Sequence, residues 1–357
     1  MKKGLSLMDL AKQIEANKEL KQDYIAQSSL LEMRLQPDGK VAMHMDHRDI
    51  PKSMGYDGSF PILPLAHDQL GVHLGIPGRY YDRMMATAPE LLVDNVNTWL
   101  GKRPHDERRM VRTLGGDVRA FLSNAYQRIE NEEIASVVLP ILADIPGVEI
   151  VSAQITERRM YIQATTPETR AVKVGDEVRA GVIISNSEVG HGAVSIAPMV
   201  YRLVCLNGMV CPDGRFRGYH VGRRVIETEA LYADDTKQAD DRAVLLKVRD
   251  HVKAAVDVIK FRERVERMSG LVEAKVTGNP EKAIEVLAKK IGASEGERVG
   301  ILRSLIEGQS LSAWGLLNAV TAQAHSADYD RGVEFESMGG QLLELAPTEW
   351  KAILEAA

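Results

Sequence analysis

A chain of 357 residues is long enough for two domains and for a core that needs neither disulfides nor metals. Hydrophobic residues at 45% and charged residues at 27% exclude wholesale disorder, and two cysteines, Cys205 and Cys211, exclude a disulfide scaffold. A formal net charge of -5 excludes a nonspecific polycation, so nucleic-acid binding would need locally gathered positive charge; with aromatics at only 5%, any tyrosine beside such charge counts for more.

Residues 5–25 read as an amphipathic helix, with Leu7, Leu10 and Ile14 at helical spacing. The segment has no long apolar stretch of the signal-peptide kind, and no run approaches the roughly 18 apolar residues of a membrane span, so a cytoplasmic protein with no membrane partner is expected. Residues 28–48 alternate about the turn signal Pro37-Asp38-Gly39 and predict a hairpin. Helices are expected over 65–74, 79–86 and 89–100, with Pro89 suited to a helix first turn.

From there the chain turns β-rich. Met110–Leu114 and Val118–Ser123 flank Gly115-Gly116-Asp117, a hairpin signal. Residues 131–145 predict a helix capped by Asn131, with Glu132 and Glu133 in its first turn. A second hairpin is expected from 148–156 and 159–165 about Glu157-Arg158. A strand at 177–185, a Gly-rich loop at 186–192 and a strand at 194–205 follow, and Asn207-Gly208 predicts a tight turn into 209–211.

After Thr228 the apolar period becomes helical. Leu245, Val248, Val252, Val256 and Ile259 predict one long helix over 235–272, entered by a hinge at the Asp234-Asp235 and Asp240-Asp241 clusters. Shorter helices are expected at 280–291, 295–307, 311–325 and 333–346. The acidic excess after Thr228 equals the whole net charge, so the first part is balanced. The expected fold class is α+β: an antiparallel, hairpin-rich core with packed helices, then a helical C-terminal region. The expected division is an N-terminal helical segment over 1–27, a core over 28–227 and a helical domain over 228–357. Val118–Asn124 also echoes Val178–Asn186, which reads either as a duplicated strand–loop unit or as coincidence.

Arginine is the residue type that stands out in the core. Arg202, Arg215, Arg217, Arg223 and Arg224 gather in one hairpin region with only Asp213 opposing them and Tyr219 and His220 interleaved. Arg112, Arg119 and Arg128 sit in an earlier hairpin beside Asn124 and Tyr126. Guanidinium forks suit phosphate oxygens, and an adjacent ring can stack a base, so these groups suggest a phosphate-backbone groove. The competing reading is solvated strand faces and intersubunit ion pairs. Strand alternation requires some of these arginines to point away from any single groove.

The loop Ser185–Ala193 carries Gly190 and Gly192, which permit close backbone approach to an anion, or simply a tight crossover. It is neither a Walker loop nor a dinucleotide fingerprint. A metal site would draw on His44, Asp46, His47, Asp49, His67 or His73, but no HExxH or CxxC spacing supports one, and no cofactor is expected. Cys205 and Cys211 could meet across the Asn-Gly turn, although buried thiols are the plainer reading, and a nucleophile pairing of cysteine with His220 has little support. Glu188 is a lone acid among neutral neighbours, suited to capping a loop amide or pairing with an arginine.

Three stretches then carry a resemblance: Arg119-Ala-Phe-Leu-Ser-Asn-Ala-Tyr-Gln-Arg-Ile129, Ser185-Asn-Ser-Glu-Val-Gly-His-Gly192 and Tyr201-Arg-Leu-Val-Cys-Leu-Asn-Gly-Met209. With Ala313-Trp-Gly-Leu-Leu-Asn-Ala-Val-Thr321 they resemble the domain-of-unknown-function 932 family of phages, prophages and plasmids over most of 75–345. A family so named implies membership and no activity. The order of hairpins, helix, hairpins and long helix is also similar in architecture to single-strand annealing proteins such as RecT, Redβ and Erf.

That second resemblance implies a ring- or filament-forming homo-oligomer that holds single-stranded DNA by its backbone. Annealing would proceed without nucleotide hydrolysis, and the C-terminal helices would recruit a host or phage replication or recombination protein. Arg112, Arg119, Arg128, Arg202, Arg215, Arg217, Arg223 and Arg224 would then meet phosphates. Asn124 and Asn186 would make polar backbone contacts, and Tyr126 would stack a base. Two other classes stay open: a protein-binding module that modulates a host factor through the acidic helical half, and an enzyme using Glu188 and His191.

Overall fold

The computed structural model describes residues 4–45, 58–218 and 234–357. Helix α1 (Leu7–Leu20) is capped by Ser6, whose Oγ accepts the Asp9 N–H at 3.1 Å, and it buries Leu10 and Ile14. The chain then becomes strand β1 (Lys21–Gln27), where continued helix was expected to residue 25. Tertiary pairing decides this: each residue of 21–27 pairs antiparallel with 108–114, which buries Tyr24 and Ala26 at the two-residue period of a strand.

Strands β2 (Glu32–Leu35) and β3 (Val41–His44) form the expected hairpin about Gly39, and β4 (Ser59–Pro61) adds to β3. Helices α2 (Pro64–Leu74), α3 (Gly78–Thr87) and α4 (Pro89–Gly101) pack against this small sheet. Strands β5 (Arg108–Leu114) and β6 (Asp117–Ser123) complete a three-stranded sheet in the order β1-β5-β6.

Helix α5 (Asn131–Ala143) follows, with Glu130 as its cap. Asn131, expected to cap it, is instead its first helical residue and is buried. The main sheet is then laid down by β7 (Glu149–Ile155), β8 (Met160–Lys173), β9 (Asp176–Asn186), β10 (Val194–Arg202), β11 (Asn207–Val210) and β12 (Phe216–Gly218). Its order is β11-β10-β9-β8-β7, and β12 pairs with the first part of β10 while β11 pairs with the last part.

The Asn207-Gly208 turn is not where it was expected. Both residues lie on β11, and the reversal occupies 203–206, where Leu206 has a φ of 51°. Asn207 Nδ2 donates to Thr321 Oγ1 at 2.5 Å and the Gly208 N–H donates to Glu336 Oε1 at 3.3 Å, so contacts to the C-terminal helices outweigh the local turn preference. The β6 and β9 stretches that echo each other in sequence lie in different sheets.

The predicted long helix is two helices, α6 (Asp234–Ala255) and α7 (Val258–Glu273), broken where Asp257 caps α7 by accepting the Lys260 N–H at 3.0 Å. The break lets them serve different cores. Val248 and Val252 of α6 pack with Ile162, Ile184 and Ile196 of the sheet, beside Leu10 and Ile134. Phe261 and Met268 of α7 join Val178, Val200 and Met209 in a core shared with the later helices.

Those are α8 (Pro280–Ile291), α9 (Glu295–Glu307), α10 (Ala313–Ala322), α11 (Tyr329–Leu343) and α12 (Pro347–Leu354), the last not expected from the sequence. Helix α11 lies close on β11, because a side chain at Gly340 would fall on the Val210 carbonyl. The protein is thus α+β with a helical C-terminal region, as its composition and periodicity predict. No described helix is long and apolar enough to cross a membrane.

Candidate anion-binding cleft

Four of the arginines expected to meet phosphate are paired with carboxylates instead, and two of these, Arg112 and Arg119, are buried. Arg112 is 1% exposed: Nε donates to Asp23 Oδ1 at 2.7 Å, Nη1 to the Glu188 carbonyl at 2.7 Å, and Nη2 to Glu130. Arg119 Nη1 donates to Glu188 Oε2 at 2.7 Å. Arg202 forks onto Asp176 at 2.6 and 2.8 Å, and Trp314 Nε1 donates to the same carboxylate at 2.8 Å. Exposed Arg128 rests on Asp23 Oδ2 at 3.2 Å.

The neutral candidates are structural as well. Asn186 is fully buried and ties Ile129 O and Asn131 Oδ1 together at 2.9 Å each. The Tyr126 hydroxyl donates to Ser187 O at 2.9 Å, and its ring packs beside Leu65, Met110 and Leu122 in place of facing a base. Asn124 is exposed in a turn. Arg223 and Arg224, with Tyr219 and His220, lie outside the described residues.

The reason for this burial is charge balance. Lys21, Arg112, Arg119 and Arg128 meet Asp23, Glu130, Glu132 and Glu188 where β1, β5, β6, the start of α5 and the β9–β10 loop converge. Glu130, Glu132 and Glu188 approach closely enough to suggest a cation site, but Lys21 Nζ already holds all three, at 3.1, 2.8 and 2.5 Å. Glu188 also accepts the Asn131 N–H at 2.7 Å. Burial works to raise the Glu188 carboxyl, but Arg119 and Lys21 outweigh it and bring it down to about 2. Glu188 is therefore an ionised clamp with its oxygens taken, in keeping with the expected pairing with an arginine.

The other sequence-level candidates are placed as follows. His67 Nδ1 meets the Tyr81 hydroxyl at 2.8 Å, His73 Nε2 meets Glu107 at 2.9 Å and His44 Nδ1 meets Ser59 Oγ at 3.3 Å; Asp46, His47 and Asp49 lie outside the described residues. Cys205 is exposed in the β10–β11 turn and Cys211 is buried beyond β11, so the two thiols do not face each other.

Arg215 and Arg217 are different. With Arg159 they line a cleft of about 480 Å³ on the main sheet, walled by α11. Strand register sets its floor. Tyr161 on β8 pairs with Ser185 on β9, Ser185 with Ser195 on β10, and Ser195 with Arg217 on β12. Paired residues share a face, so four side chains form one row across four strands, roughly 14 Å from end to end.

Arg215 stands in the turn before β12, and its Nε is buried without a hydrogen-bond partner. Burial and then the nearby Arg217 and Arg159 lower its pKa, which is the signature of gathered like charge. Arg159 stands just before β8, and its guanidinium lies over Gly192, where φ is 117° and any side chain would strike it. Lys290 reaches the rim but is held by Glu349 at 2.8 Å. Among the described residues, no carboxylate lies within ion-pair distance of Arg159, Arg215 or Arg217.

At the other end of the row sits Asp330. Its Oδ1 accepts the Tyr161 hydroxyl at 2.8 Å and the Thr156 hydroxyl at 3.1 Å. Burial and Asp330 push the Tyr161 phenol well above its ordinary range, so it remains a donor. His191 also lines the cleft: burial, Arg159 and Arg158 lower its pKa against the opposing pull of Asp330 and Glu334, which favours the neutral imidazole. Its backbone N–H donates to Ser187 Oγ at 2.9 Å, which sets the loop.

Arg159, Ser195 and Asp330 were not singled out from the sequence. The Arg158-Arg159 pair at a hairpin end was a usable signal for the first. Nothing local marks Asp330, which lies 169 residues from Tyr161.

A family model described as a domain of unknown function (DUF932) matches residues 120–336. The matched stretch contains every cleft residue named above, whereas Lys21, Asp23 and Arg112 of the buried ion network lie before it. No curated protein and no solved structure matches the chain, so the architectural likeness to annealing proteins gains nothing from these comparisons.

Proposed function

From the premise that this chain belongs to the family of the domain of unknown function DUF932, we propose that it binds single-stranded DNA by its phosphates in the arginine-lined cleft, without hydrolysing nucleotides. One observation carries the reading: Arg159, Arg215 and Arg217 have no acidic partner among the described residues, whereas Arg112, Arg119 and Arg202 each have at least one. Three guanidinium groups gathered on a partly desolvated floor repel one another, and a phosphate relieves both that repulsion and the lost hydration. Arginine forks present donors matched to phosphate oxygens, and Ser185 and Ser195 add hydroxyls beside them.

A cleft of about 480 Å³ takes one or two nucleotides and no duplex. A longer strand would be followed by copies of the chain side by side, and two such strands held by their backbones would leave bases free to pair, which is the basis of an annealing role in a mobile element. The test is fluorescence anisotropy of a labelled mixed-sequence oligonucleotide over a salt series. The expected slope of log affinity on log salt is about -0.7 per phosphate neutralised. Replacing Arg159, Arg215 and Arg217 together by alanine should abolish binding and flatten the slope. Absence of binding at low salt, or binding indifferent to the triple replacement, overturns the reading. Annealing of complementary oligonucleotides without ATP tests the wider role.

A second reading, a protein-binding module, is favoured by Val299 and Ile306. They lie seven residues apart on α9, on one helix face, and are 50% and 66% exposed. Stoichiometric recovery of a single host protein with no nucleic acid would replace the first reading by this one.

A further inference from the structure

The cleft is polar in the sense of having two ends, and the ends ask for different chemistry. Arg217 closes one end of the cross-strand row, and Tyr161 with its partner Asp330 closes the other. Arg215 feels Arg217 and Arg159, while His191 further along feels Arg159 and Arg158 and, in the opposite sense, Asp330 and Glu334. Three strand spacings separate the end positions, roughly 14 Å. That is about the reach of one nucleotide from its phosphate to the far edge of its base.

The acid end is built to accept. Asp330 and Glu334 are four residues apart on α11 and therefore share a helix face, and both line the cleft. Two hydroxyls fix Asp330 through Oδ1 and leave Oδ2 without a partner among the described residues. Glu334 is held through Oε2 by Arg331 Nη1 at 2.6 Å, which leaves Oε1 without a partner there as well. A carboxylate fixed at Asp330 and an exposed one beside it at Glu334, with an open oxygen each, favour a ligand edge with adjacent N–H donors and repel an edge that presents lone pairs.

Among the bases only guanine meets that demand, with N1–H beside its 2-amino group. Adenine and cytosine each pair an amino group with a ring nitrogen acceptor, and thymine flanks its one N–H with carbonyls. We infer that the cleft selects a guanine nucleotide, phosphate on Arg215 and Arg217, base edge on Asp330 and Glu334. This rests on the phosphate-binding reading above and adds to it a base preference, where a backbone binder would have none.

The experiment displaces a labelled mixed-sequence oligonucleotide from the full chain with dGMP, dIMP, dAMP or dTMP. dGMP should compete at about a tenfold lower concentration than dTMP or dAMP, the discrimination expected of one paired donor–acceptor contact. dIMP lacks the 2-amino group and should fall between. Asp330→Asn should bring the ratio of dGMP to dTMP toward one. Equal competition by all four nucleotides, while the oligonucleotide still binds, overturns the base inference and leaves phosphate binding standing. Failure of the oligonucleotide to bind at low salt overturns both. The dGMP-to-dIMP comparison uses only the unaltered protein, so it decides the matter even where Asp330→Asn does not fold.

Discussion

Arg119 and Glu188 form a buried ion pair at 2.7 Å across 69 residues of sequence, joining β6 to the loop after β9. The same carboxylate holds Lys21 and the first N–H of α5, so one side chain ties together β1, the hairpin, the helix and the main sheet. Removing one partner of such a pair strands the other charge in low dielectric. Glu188→Gln should therefore cost roughly 3–5 kcal/mol of stability, read by chemical denaturation.

Acid should mimic that change. The Glu188 carboxyl is lower in the folded protein, about 2, than its ordinary value of 4.5. A depressed acid contributes stability that is complete above its unfolded value and is lost as pH falls through its folded value. The fall in thermal midpoint between pH 5 and pH 2, which other carboxylates share, should be measurably smaller in Glu188→Gln. Equal slopes for the two proteins would refute this.

The arginines should divide into two sets with opposite phenotypes. Alanine at Arg112 or Arg202 should lower stability by about 3 kcal/mol or more, since each leaves carboxylates unpaired in the interior. Alanine at Arg215 or Arg217 should leave the denaturation midpoint within about 0.5 kcal/mol, because neither has an acidic partner to abandon. Oligonucleotide affinity should fall in the second set. A binding loss without a stability loss at Arg112 would reverse the assignment.

Gly192 places Arg159. Its φ of 117° disfavours any side chain, and a methyl there would occupy the guanidinium position. Gly192→Ala should cost about 1–3 kcal/mol of stability and weaken oligonucleotide binding by moving Arg159 out of the cleft. The double replacement Gly192→Ala with Arg159→Ala should bind no more weakly than Arg159→Ala alone, so a double-mutant cycle measures the dependence.

Glu336 is a buried carboxylate, 1% exposed, that accepts from Gln163 Nε2 at 2.8 Å and from the Gly208 N–H, with no cation beside it among the described residues. Burial raises its carboxyl above the ordinary value of 4.5. A raised acid gives stability that is complete below the unfolded value and erodes as pH rises toward the folded one. Glu336→Gln should thus be more stable than the parent at pH 8 by roughly 1–3 kcal/mol, with the difference vanishing near pH 4. Gln163 Oε1 is buried without a partner, and once the Gln163 amide is turned the glutamine amide at 336 can donate to it. A constant difference across pH would rule the mechanism out.

Periodicity and turn residues were enough to read the β5–β6 hairpin about Gly115-Gly116 and the helices α2 to α4, because those elements rest on contacts close in sequence. The same reading overran at residue 21, where the strand partner lies 93 residues on at Leu114. It also placed a turn at Asn207-Gly208, whose competing partners, Thr321 and Glu336, are more than 100 residues away. Local propensity is worth a fraction of a kcal/mol per residue, and such tertiary contacts exceed it.

The candidate site divides in the same way. Composition and spacing determined that arginine would matter and that the chain is α+β with a helical C-terminal region. They also marked Arg215 and Arg217. Which arginines are free was decided only by folding. A carboxylate can neutralise a guanidinium from any distance along the chain, so Asp23, Glu130 and Glu188 took Arg112 and Arg119 out of play. Strand register, which no single stretch of sequence contains, set Tyr161, Ser185, Ser195 and Arg217 in one row.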